Sequence, residues 1–268
     1  DAGLRPGDVV LEVDGQPLDP ARVYDGLVPE PTEDQRDWAA TLLANGSRGG
    51  DRTLRVQQGR KKATLTLANP RDLAKAVSER GPLSVSTVDG VCVLRPENSL
   101  GKLALVAAVD AALPDCDPDK GLILDLRNPP SGGNTDVARG IMGHSTTETA
   151  AYQIHEIPAV ERRTGVPRRF IEQVVPRAPH FDGPVVVLGG SWTGSMGEGL
   201  VIGMDALGHH TIARDMGDLL GALHSWDLET CGGVLEVGAE SLFHVDGTPR
   251  GDFVADDALE VADTAPDG

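Results

Sequence analysis

The chain has 268 residues, is 40% hydrophobic and carries a formal net charge of -17. That is enough apolar material for one large or two small cored domains, and the acidic balance argues against a nucleic-acid partner, which would need a basic face. No run approaches the roughly 20 apolar residues of a membrane-spanning helix, and Cys92, Cys116 and Cys231 stand far apart with no Cys-x-x-Cys pair, so free thiols are expected rather than a zinc site or a disulfide framework.

In chain order, "RPGD" is a turn signal, followed by a strand over 9–13 and an Asp14-Gly15 turn. A helix is predicted over 32–46 with Gly46 as its terminator, then two strands over 52–67 around Gln58-Gly59. Asn69-Pro70 reads as a domain boundary. Beyond it come an amphipathic segment over 71–80, a strand over 90–96 and a helix over about 99–113. A buried strand over 122–126 runs into the Pro/Gly loop "NPPSGGN", a helix over 136–142 and an Arg- and Glu-rich insertion over about 143–180. That insertion reads as a solvated helical face or a cover. An apolar strand over 184–189 feeds a glycine-rich turn and a helix from 196, "HHTIA" is a short strand, and "GVLEVGAESLFHVDG" reads as a terminal hairpin. Strands alternating with helices predict an α/β fold with parallel pairing. The expected organisation is a mainly β unit over 1–69, a core over 70–262 and a tail over 263–268.

The stretch "GGSWTGSMGEG" centres on Ser195. A strand that stops, a glycine turn and a helix that starts would hold a nucleophile beside outward-aimed N–H groups, in a spot that the helix dipole favours for anions. A second glycine loop at 131–133 follows the neighbouring buried strand, at the carboxyl ends where open α/β sheets place their sites. On its own, a serine between glycines before a helix is most simply an N-cap. No phosphate-loop lysine follows, and Thr193 stands where an α/β-hydrolase elbow has glycine. Glu198, at i+3 from Ser195, is placed to complement the helix N-terminus or to orient a water or a base.

"AGLRPGDVVLEVDG" resembles the latter half of a bacterial PDZ domain. "GLILDLRNPPSGGNT" followed by "PVVVLGGSWTGSMGEG" resembles the core of the carboxyl-terminal processing (tail-specific) serine proteases, a family that includes the tricorn core protease. The resemblance implies a Clp protease/crotonase-like α/β core preceded by a partial PDZ domain, a polypeptide substrate, no metal or organic cofactor, and an extracytoplasmic setting. It implies Ser195 as nucleophile, the Met196 N–H as one oxyanion donor and Gly132 or Gly133 as the source of the other.

Many members pair the serine with a lysine about 25 residues later, but no lysine follows Lys120, so a Ser/Lys dyad is excluded. Three options stay open for the base. A histidine ahead of the PDZ module, as in the tricorn-like branch, would fall in a segment this chain lacks, since its start at Asp1 reads as that of a fragment. A histidine within the chain, His224 or His144, is the second. The third is a degenerate site that binds peptide without cleaving it. A crotonase-like acyl-CoA enzyme would share the oxyanion logic without needing Ser195.

Overall fold

A computed structural model describes residues 3–5, 7–45, 50–127 and 132–259, which divide into two units, Asp1–Glu79 and Arg80–Gly268. In the first, β1 (Val9–Val13), β2 (Gln16–Pro17), β3 (Arg52–Gln58) and β4 (Lys61–Leu67) form an antiparallel sheet in the order β2-β1-β3-β4, accompanied by α1 (Glu33–Asn45). Alternation along β3 puts Leu54 and Val56 into a small core with Val13, while Arg55 faces out to pair with Glu12 at 3.1 Å. The predicted strands and helix are present; the terminator Gly46 lies outside the described residues.

The division between units falls after Glu79 and not at Asn69-Pro70. The Asn-Pro pair starts α2 (Pro70–Ser78): the Asn69 side chain accepts the Arg71 N–H at 2.9 Å, and proline at N1 has no N–H to leave unpaired.

The second unit is built on a six-stranded sheet, β14-β11-β10-β7-β6-β5, of β5 (Leu83–Val88), β6 (Val91–Pro96), β7 (Leu122–Asp125), β10 (Val185–Gly189), β11 (His210–Ala213) and β14 (Asp257–Ala258). From β6 to β14 all pairs are parallel; β5 alone is antiparallel. This is the expected α/β core. Leu94, Leu124 and Val187 of the sheet share a core with α3 (Leu103–Ala112), α4 (Thr135–Met142) and α6 (Met196–Ala206). Burial of that apolar surface is the main stabilising contribution, at about 25 cal/mol per Å².

Three expectations fail here. The insertion, read as helical, is chiefly β8 (Ala150–Glu156) and β9 (Arg169–Val174) around a short α5 (Pro158–Thr164). Its polar letters misled because Tyr152, Gln153 and His155 are buried with polar partners. The terminal segment read as a hairpin is one long strand, β13 (Gly233–Phe243). It pairs with β12 (Gly221–Leu228) and β8, giving a second sheet in the order β12-β13-β8-β9. Finally, Cys92 on β6 and Cys116 after α3 form a disulfide, with Cα atoms 5.5 Å apart, and only Cys231 is a free thiol. A helix returning antiparallel to its strand closes the 24-residue separation, which spacing alone conceals. No helix among the described residues is long and apolar enough to cross a membrane.

Candidate active site

The chain leaves β10 at Gly189, turns, and enters α6, with Ser195 at the helix N-cap. Its backbone stands at φ 55°, ψ −117°, outside the extended region usual for a cap, a conformation that costs a non-glycine residue about 1–3 kcal/mol unless its surroundings enforce it. Ser195 therefore stands at the N-cap position in a sharp strand-to-helix turn.

Two devices bring the second glycine loop to this turn. Asp125 at the end of β7 takes the Arg127 guanidinium in two bonds of 2.9 and 2.8 Å, fixing the strand exit. Buried Thr193 then ties the β10 turn to the same exit: its hydroxyl donates to the Leu126 carbonyl at 2.6 Å and accepts the Gly190 N–H at 2.8 Å. Thr193 is thus a staple between the β10 turn and the exit of β7, in the position where an α/β-hydrolase elbow has glycine.

On the far side of the loop, Gly132 lies directly against Ser195. A Cβ placed on it would stand 2.9 Å from Ser195 Cβ, 3.1 Å from Ser195 Oγ and 4.0 Å from the Met196 nitrogen. Only glycine fits that approach. Gly133 faces elsewhere: it bridges to Leu100, whose carbonyl oxygen would be 2.2 Å from an added Cβ. Ser131, the first residue of the predicted loop site, lies outside the described residues.

Glu198, 2% exposed, lies under the turn, and its Oε2 accepts the N–H groups of Ser195 at 2.6 Å and Leu219 at 3.1 Å. Burial raises its pKa, opposed by those N–H groups and by the nearby Arg250 charge. Arg250, 6% exposed, donates Nη1 to the carbonyls of Ser195 at 3.0 Å and Leu219 at 3.4 Å, and Nη2 to Gln153 Oε1 at 2.5 Å. Burial pulls its pKa down to about 10, against the pull of Glu198, so the guanidinium stays cationic at neutral pH.

The sequence candidates for a base are engaged away from the serine. His224 on β12 bonds Glu240 at 2.8 Å. His144, at the end of α4, is buried between the Pro179 carbonyl at 2.6 Å and Asp110 at 2.8 Å, where it fastens the insertion to α3. Among the described residues no histidine or lysine side chain hydrogen-bonds Ser195, and each histidine has its contacts elsewhere. Asp252 is exposed. Sequence reading missed Arg250, Gln153 and Thr193; the available signal for Arg250 was Glu198 itself, a buried carboxylate that calls for a cation.

No protein-family model matches the chain, and no curated protein does. Solved structures do. The photosystem II D1 C-terminal processing protease is 16% identical over 97% of this chain and 64% of its own, with a TM-score of 0.59. Mature CPAF is 12% identical over 97% and 73%, with a TM-score of 0.63. A lipoprotein from Streptococcus agalactiae is 12% identical over 90% and 82%, with a TM-score of 0.54. The chain spans 64% of the length of the D1 protease. In fold, this chain is similar to the carboxyl-terminal processing proteases.

Proposed function

We propose that the protein is a serine-type endopeptidase that cleaves polypeptides through an acyl-enzyme on Ser195. The observation that carries this reading is the convergence of Gly132 on Ser195 Oγ at the N-terminus of α6. In the proposed step Oγ attacks the scissile carbonyl, its proton passes to a base, and the developing oxyanion takes hydrogen bonds from the backbone N–H of Met196 and of the 132–133 loop. The tetrahedral intermediate then collapses, the C–N bond breaks and the amine leaves with the proton from the base, after which water hydrolyses the Ser195 ester and restores the hydroxyl. Glu198 serves the turn and not the proton, because its carboxylate faces the backbone N–H groups of Ser195 and Leu219. The base is a group other than the chain's histidines in their present pairings.

The first unit serves, in this reading, as part of a PDZ module that presents the polypeptide. The Cys92–Cys116 disulfide supports an oxidising, extracytoplasmic setting. The experiment is turnover of a fluorogenic peptide library by the full-length protein and by Ser195→Ala. Hydrolysis lost in the variant supports the proposal; equal hydrolysis by both contradicts it.

One observation favours a second reading, a peptide-binding protein that does not cleave: no histidine or lysine among the described residues bonds Ser195. Peptide binding in the full-length protein, unchanged in Ser195→Ala and without turnover, would establish it.

A further inference from the structure

We infer that Arg250 is a positioning residue that, together with Glu198, locks the backbone of Ser195 and aims the Met196 N–H at the oxyanion; this rests on the acyl-transfer reading of Ser195. Arg250 lies in a 3-10 turn (Arg250–Asp252) that follows β13, 55 residues from the serine it touches. Its partners form a closed pattern with those of Glu198. The carboxylate accepts the N–H groups of Ser195 and Leu219, and the guanidinium donates to the carbonyls of the same two residues. One anion and one cation, buried side by side, thus grip both polar ends of Ser195 and of Leu219.

The peptide group is a rigid plane, with N–H and C=O pointing in opposite directions across it. Holding the Ser195 N–H fixes the plane before its Cα, and holding the Ser195 carbonyl fixes the plane after it. Together they set both dihedrals and over-determine the costly φ of 55°. The second plane is also the one that carries the Met196 N–H. With its oxygen tied to Arg250, that N–H points the other way, toward the region that Gly132 borders, where an added Cβ would stand 4.0 Å from the Met196 nitrogen. A cationic donor on the carbonyl also polarises the peptide and strengthens its N–H as a donor.

The sequence makes room for this clamp. A Cβ at position 199 would come within 2.8 Å of Arg250 Nη2 and 2.4 Å of Met196 Cε, so Gly199 allows the guanidinium to reach under the first turn of α6. Gln153 Oε1 accepts a hydrogen bond from Nη2 on the other arm of the group. Charges buried this deeply are a weak source of stability, which fits a geometric role.

A cavity of about 570 Å³ adjoins the clamp, bordered by Glu198, Arg250, Met216 and Phe253, and gives a small cation access to the place of a deleted guanidinium. The test uses the full-length protein, Arg250→Ala and Arg250→Lys, with fluorophosphonate labelling rate, kcat and KM for peptide, and crystal structures of each. Arg250→Ala is expected to lower kcat and the labelling rate about 10²–10³-fold, the effect of losing one oxyanion donor. KM should hold, and added non-denaturing guanidinium should restore much of the loss. Arg250→Lys, which keeps the charge but cannot reach both carbonyls and Gln153, should recover only part. A folded Arg250→Ala with unchanged kcat, or a loss that guanidinium does not relieve, overturns the inference; if alanine does not fold, an Arg250→Lys equal to wild type does the same. The crystal structures decide independently of activity: Ser195 relaxing to negative φ in either variant supports the clamp, and an unmoved Ser195 overturns it. A wild type that neither labels nor hydrolyses removes the peptidase reading and leaves the backbone result standing.

Discussion

Breaking the Cys92–Cys116 disulfide is expected to destabilise the second unit by an amount that follows from chain length. The bond closes a sequence separation of 24 residues. In the chain-entropy account, closure of such a loop removes about 12 cal/mol/K from the unfolded ensemble, or about 3.5 kcal/mol at 25 °C. A cooperative unit of roughly 190 residues unfolds with an entropy of about 0.4 kcal/mol/K, so Tm should fall by about 9 °C. Cys92 and Cys116 are 5% and 7% exposed, so alanine adds a small cavity cost to the lost constraint. The assay compares thermal melts of the wild type with and without reductant, and of Cys92→Ala, Cys116→Ala and the double variant. Either single substitution breaks the bond, so the double variant should lose little more than each alone. Thiol titration of the unfolded, unreduced protein should find only Cys231. Three titratable thiols, or melts unmoved by reductant, would refute the reasoning.

Removing the acceptor at Glu198 leaves the buried N–H groups of Ser195 and Leu219 unpaired, at about 1–3 kcal/mol each. Glu198→Ala should therefore lower stability by a few kcal/mol by denaturant titration and abolish labelling of Ser195, whereas Glu198→Gln, which keeps one oxygen acceptor, should lose less; equal losses would count against the geometry. A pH dependence is expected from the cluster around His155. Burial opposes charging of His155, but hydrogen bonds and charge from Glu172 and Glu240 outweigh it and raise its pKa. Its contribution is then complete below an unfolded value of about 6.5 and is lost as pH rises through the higher folded value. Burial likewise works against the ionised forms of Glu172 and Glu240, yet bonds to His155 leave both pKa values lowered, so their contribution holds above about 4.5 and fades as pH falls through the folded values. Stability should peak between those limits, and His155→Gln should flatten the alkaline arm; an unchanged alkaline slope would contradict the assignment.

The elements legible in the sequence are those whose apolar letters face one neighbour. The alternation over 52–67 gave β3 and β4, the runs at 122–126 and 184–189 gave β7 and β10, and the glycine turn before Met196 gave the start of α6. Elements stabilised by polar burial were illegible. Gln153 and His155 are core residues of β8 only because Arg250, Glu240 and Glu172 lie opposite them, and those partners come from 17 to 97 residues away. The site divides in the same way. Ser195 and Glu198 belong to one helical turn and could be named from spacing. Leu219 reaches that turn from the segment between β11 and β12, and Arg250 only through the course of β12 and β13. The pair Gly132 and Gly133 could not be separated by composition; the approach of Leu100 to one and Ser195 to the other distinguishes them.

The central claim is that Ser195 is a nucleophile. Its most direct measurement is the intact mass of the full-length protein after incubation with a fluorophosphonate, with the modified peptide located by fragmentation. One adduct on Ser195, absent from Ser195→Ala, is the predicted result. No adduct, or the same adduct in both proteins, would contradict it.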